Sequence, residues 1–169
     1  MLVAELLSAV DRLAPSSLAE EWDNVGLLVG RHNQPVQKLL VALELRDGIL
    51  GEAAELGCQA VVIHHPVIFP ALTAVTDDLA SAELVLQAAE HRIAVIAAHT
   101  NLDAASGGLN EIMAGLLGMG AATPLRPSAH DPALGLGRVG QAPARMTLEK
   151  LVNRAGEAFD APRQYLGDP

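Results

Sequence analysis

Ala60-Val61-Val62-Ile63-His64-His65-Pro66 is the stretch on which the fold turns. Its first four residues are apolar and mostly β-branched, with no polar alternation. That is the pattern of a strand covered on both faces. The pattern recurs downstream, where Ile93-Ala94-Val95-Ile96-Ala97-Ala98 stops at His99. Between the two runs, Leu79 to Glu90 reads as a helix, with Asp77 and Asp78 at its positive end. Upstream, Val36 to Leu45 reads as another buried strand, with Leu39-Leu40-Val41-Ala42-Leu43 as its core. Asp47 to Leu56 follows as a helix, with Gly57 in the C-cap place. Strand and helix alternate, so the expectation is an α/β fold: a mostly parallel sheet with crossover helices.

The flanks fill in the rest. Val3, Leu6, Leu7, Val10 and Leu13 fall at helical spacing, and Pro15 closes that helix. Trp22-Asp23-Asn24-Val25-Gly26-Leu27-Leu28-Val29-Gly30 reads as a short strand bounded by turns. Asp103 to Gly108 reads as a small Gly-rich turn, and Leu109, Ile112, Met113, Leu116 and Leu117 as a helix stopped by Gly118. Residues 121–144 are broken by prolines and glycines, with a short strand expected over Leu136 to Val139. Leu148, Leu151, Val152, Ala155 and Phe159 make a last helix behind Thr147, an N-cap residue. Arg163 to Leu166 reads as the start of a further strand. The 169 residues are expected to form one domain.

Composition removes several function classes. Eleven Lys and Arg against twenty Asp and Glu give a formal charge of −9, which offers no general attraction to phosphate backbones or anionic lipid. The aromatics Trp22, Phe69, Phe159 and Tyr165 are scattered, which disfavours a nucleic-acid stacking platform. The single Cys58 excludes a disulfide framework and fits a reducing cytoplasm. The start, Met1 to Glu5, lacks the basic region of a signal peptide. The long uncharged stretch from Leu56 to Thr76 contains two histidines and two prolines, which argues against a membrane span. There is no Walker loop, dinucleotide fingerprint or Gly-x-Ser-x-Gly elbow.

The chemical signal gathers at two strand ends. His64-His65 follows one buried strand, and His99-Thr100-Asn101-Leu102-Asp103 follows the next. Open α/β sheets collect ligands beyond the carboxyl ends of their strands. Neighbouring strands lie about 4.8 Å apart, so imidazoles and a carboxylate can converge there. Adjacent residues of a strand face opposite ways. His64 and His65 therefore share a site only if the chain bends, which Pro66 favours, or else each serves one metal of a pair. Imidazole with carboxylate suits zinc, iron, manganese or nickel better than calcium. His32, His91 and His130 lack partners and are read as solvated, and Cys58 as packing. Gly107-Gly108 before a helix is either a tight turn or an anion-holding N-terminus. Trp22-Asp23-Asn24 is either a pocket wall or an Asx-type turn.

Three motifs together resemble the NIF-three-like family, also called YbgI-type or GTP cyclohydrolase type 2 homologs. They are Glu21 to Leu27, Val62 to Phe69 and His99 to Ala105. The resemblance implies an α/β fold with a dinuclear metal centre and cytoplasmic homo-oligomers, often hexamers. By that resemblance His64, His65 and Asp103 are metal ligands, His99 binds, orients or shuttles a proton, and Asn24 lies near the cavity. The family commonly continues with a Gly-His motif and a Glu that complete the metal pair, and no such motif follows before Pro169. The expectation is thus a C-terminally incomplete member, holding two metals, one or none, whose open sheet favours self-association or aggregation. Where the family commonly has Asp-x-Thr, this chain has Glu44-Leu45-Arg46. The implied function is that of a metal-dependent hydrolase acting on a small molecule, with His99 or Glu44 as proton carrier. The rival expectation is a non-catalytic metal-binding or oligomeric interaction protein.

Overall fold

The computed structural model describes residues 1–46, 48–129 and 131–162. Asp47, His130 and the strand expected from Arg163 lie outside the described residues. The chain divides into two compact units, Met1–Leu102 and a second that begins at Asp103.

The first unit contains a four-stranded sheet in the order β1-β4-β3-β2. Its strands are β1 (Gly26–Val29), β2 (Leu39–Ala42), β3 (Ala60–Ile63) and β4 (Ala94–Ala97). β2, β3 and β4 run parallel, as the strand–helix alternation demands. β1 is the exception and lies antiparallel against β4. The crossover helices are α2 (Ile49–Glu55) and α3 (Ala80–Glu90), and α1 (Val3–Leu13) precedes the sheet.

The two inner strands show why unbroken apolar runs were needed. Val61, Ile63, Val95 and Ala97 pack with Leu50, Ala53 and Ala88 of α2 and α3. Ala60, Ala94 and Ile96 pack with Val3 and Leu6 of α1. Alternate residues thus serve opposite helical layers, the two-residue period of a strand buried on both sides. Cys58 is buried within the first of these clusters, as its packing role predicts.

β2 departs from the sequence reading. It is shorter than Val36 to Leu45 and only partly buried, with Val41 72% exposed. Among the described residues it has a neighbour on one side only, so its apolar residues do not all find cover there. The helix expected from Asp47 begins at Ile49, behind Gly48 in a left-handed conformation, and Gly57 follows its end at φ +68°. Gly30 sits where β1 meets β4: a Cβ there would fall 2.9 Å from Cβ of Ala94.

Thr100–Ala104 forms a short helix, α4, which takes in the first two residues of the turn expected over Asp103 to Gly108, and residues 105–108 form the turn. In the second unit, α5 (Leu109–Leu117) ends at Gly118 with φ +72°, as expected. Gly107 N–H donates to Oε2 of Glu111 at 2.7 Å, so the start of α5 is capped by its own carboxylate. That favours the tight-turn reading of Gly107-Gly108. The Pro/Gly-rich segment carries more pairing than expected. β5 (Gly120–Thr123) pairs antiparallel with β8 (Val139–Gln141), and β6 (Arg126–Pro127) pairs with β7 (Gly135–Leu136) inside them. Buried Arg138 donates to the carbonyls of Gly135 and Gly137 and meets Glu111 at 3.0 Å. α6 (Leu148–Ala158) starts behind Thr147, whose Oγ1 accepts from the Lys150 N–H.

Candidate metal centre

β3 and β4 end side by side, Ile63 paired with Ala97, so the residues that follow them are neighbours. The N–H groups of His64 and His65 both donate to the carbonyl oxygen of Leu43, at 3.1 and 2.9 Å. One acceptor shared by consecutive amides means that the chain has left the strand geometry. The bend expected at Pro66 is therefore present, and it brings both rings to one side. The ring centroids of His64 and His65 are 5.1 Å apart, and each lies within 6 Å of His99. Nitrogens of the three imidazoles come within 4.8 Å of one another.

The chemistry of this donor set fits a transition metal. Nδ1 of His64 lies 2.8 Å from the carbonyl oxygen of Ala98. Nδ1 of His99 lies 2.9 Å from Oδ1 of Asp23. Nδ1 of His65 lies 3.3 Å from Oε2 of Glu44, a longer contact between half-exposed groups. Carbonyl and carboxylate oxygens only accept, so Nδ1 carries the proton in each ring. Neutral imidazole then bears its lone pair on Nε2. An acceptor behind one nitrogen and a lone pair on the other is the arrangement of metal-binding histidines.

Asp23 is the best-supported of these acceptors. Its side chain is fully buried. Oδ1 accepts from His99 and from the Asn24 N–H, and Oδ2 accepts from the N–H and hydroxyl of Thr100. Burial works against the charge, but the donors from Thr100, His99 and Asn24 outweigh it and hold the carboxyl below its usual range. The sequence alone left this residue undecided. Its bond to the adjacent Asn24 N–H is the local turn chemistry, while its bond to His99 spans 76 positions that spacing does not reveal. Asn24 in turn donates to the carbonyl of Ile68 at 2.8 Å, in the loop after the histidine pair.

The other expected site residues take different places. Glu44 reaches the locus through His65. Asp103 opens the second unit, on α4 one turn beyond Thr100, and its carbonyl accepts from Asn110. His32 and His91 are exposed, as read. A cavity of about 1000 Å³ lies at the other ends of the strands, lined in part by Arg31, Gln34, Gln59 and Arg92, and none of the described histidines lines it.

A sheet with helices on both faces and imidazoles gathered beyond adjacent parallel strands defines an α/β protein with a strand-end site. More particularly, the chain belongs to the DUF34/NIF3 family (NGG1p interacting factor 3), whose sequence model matches residues 1–169. A Clostridium perfringens protein named "GTP cyclohydrolase 1 type 2 homolog" is 30% identical over 99% of this chain and 64% of its own length. A protein of the same name from Clostridium acetobutylicum is 32% identical over 98% of this chain and 63% of its own. The crystal structure of Staphylococcus aureus hypothetical protein SA1388 matches with a TM-score of 0.85 and 26% identity, over 96% of this chain and 65% of that one. Reduced HcgD from Methanocaldococcus jannaschii matches with a TM-score of 0.79 and 28% identity, over 93% and 60%. The chain thus spans less than two thirds of the length of these relatives. No helix among the described residues is long and apolar enough to cross a membrane.

Proposed function

We propose that this chain carries the histidine part of a metal-dependent, hydrolase-like centre. The observation behind this reading is that nitrogens of three imidazoles come within 4.8 Å of one another, while each ring keeps Nδ1 against an acceptor oxygen. A bound divalent transition metal (zinc, iron, manganese or nickel) supplies Lewis acidity and a more acidic water. His64 and His65 hold it, and Asp103 keeps the ligand role that the family resemblance implies. Asp23 fixes the His99 ring, so that its Nε2 either joins the donor set or accepts a proton from the reacting water or substrate. Glu44 orients His65 and is the second proton carrier. Three protein donors suffice for a catalytic-type mononuclear site, and the family likeness favours two metals. GTP is the first substrate to assay, because relatives carry its name.

The test is elemental mass spectrometry of the purified, untagged chain. The expected result is about one or two transition metals per chain, lost in His64→Ala. A ratio near zero, even after refilling with zinc, iron or manganese, overturns the proposal.

A second reading, a non-catalytic metal binder that works as a cytoplasmic homo-oligomer, is favoured by the exposed Val41 and Leu43 at the β2 margin. Metal lost from His64→Ala together with turnover supports the hydrolase. Metal bound by the wild-type chain without any turnover supports the binder.

A further inference from the structure

Two of the four aromatic residues in this chain, far apart in sequence, meet beside the imidazoles. Trp22 and Phe69 pack edge to face, with centroids 5.8 Å apart and planes at 61°. Trp22 is also 6.4 Å from His99, again edge to face. Both side chains stay more than half exposed, Trp22 at 57% and Phe69 at 51%. They are the large apolar groups that a folding chain most readily buries.

The loops that carry them are nonetheless tied down. Asp23, next to Trp22, is held by four hydrogen bonds. Asn24 grips the carbonyl of Ile68, next to Phe69, so the two loops are joined within two residues of each ring. An edge-to-face pair of this kind leaves ring surface open to a third ring, and an aromatic wall beside a few convergent polar groups is the make-up of small-molecule sites.

We infer that Trp22 and Phe69 form a stacking wall for a flat nitrogen-heterocyclic ring of the substrate, held beside the imidazole cluster. The inference deepens the hydrolase proposal and rests on it for the reacting centre, but binding is read without turnover.

Trp22 is the sole tryptophan of the chain, so its fluorescence reports this wall alone. The metal-loaded chain is titrated with guanosine, and with ribose as the control that lacks a ring. Saturable quenching by guanosine and none by ribose is expected. Phe69→Leu, a change at an exposed position, weakens guanosine binding by roughly 5- to 100-fold and leaves metal content unchanged. The inference is overturned if guanosine, adenosine and riboflavin all fail to quench saturably, or if Phe69→Leu binds guanosine as the wild type does. A Trp22 signal that answers to dilution of the protein and not to guanosine also overturns it, because a second copy then covers the wall. A chain that binds guanosine but no metal separates the two ideas: the hydrolase proposal falls and the wall stands.

Discussion

Strands β4 and β2 are four-residue apolar segments of the same mostly parallel sheet, yet their surroundings differ. Every residue of β4 is buried, whereas β2 alternates between exposed and half-buried positions. β4 lies between β1 and β3, and among the described residues β2 has β3 alone. Central strands are enclosed by two neighbours and two helical layers, while an edge strand keeps an open side. Apolar composition therefore announces a strand without giving its rank in the sheet.

The difference is open to direct attack. Ile96→Ala in β4 should cost about 2–5 kcal/mol in denaturant unfolding, because the cavity left at a fully buried site cannot refill. A loss under 1 kcal/mol would mean that β4 is not the centre of the core. Asp23→Asn should cost about 1–3 kcal/mol, since its buried oxygens serve four donors and the amide cannot accept them all. A variant as stable as the wild type would show that these bonds do not hold the loop.

The next effect is smaller and depends on pH. Hydrogen bonds from Gly107 and Arg138 hold the Glu111 carboxyl below its usual value. Its folded pKa is depressed, so the unfolded chain binds the proton more readily in acid. The stabilisation is complete above the unfolded value of about 4.3 and fades as pH falls through the folded one. Glu111→Gln should flatten the acid limb of the stability curve by about 0.5 kcal/mol or less, given its solvent contact. An unchanged limb would remove Glu111 from that account. Least of all, Val41→Thr should shift stability by no more than about 0.5 kcal/mol. A loss like that of Ile96→Ala would mean that the β2 margin is covered in solution.

Much of this was legible in the residues. The buried runs at Ala60–Ile63 and Ala94–Ala97, the helix between them, the bend at Pro66 and the cap at Thr147 follow from local chemistry. What stayed hidden depends on distant partners. The exposure of Val41 depends on which strand ends up outermost. Asp23 acts on His99 across most of the unit, and Trp22 finds Phe69 only once the loops are tied. The helix α4 had no signal in the sequence, because what anchors its first turn is distant: Thr100 and Asn101 donate from their side chains to Asp23 and to the carbonyl of Ala14. The nested pairs of β5 to β8 hide in a segment whose prolines and glycines read locally as breaks.

The carbonyl of Leu43, just past the end of β2, is the shared acceptor for the amides of His64 and His65. The margin of the sheet and the imidazole pair are thus tethered through one oxygen atom. One displaced carbonyl there would leave two consecutive amides, those of His64 and His65, without their shared acceptor.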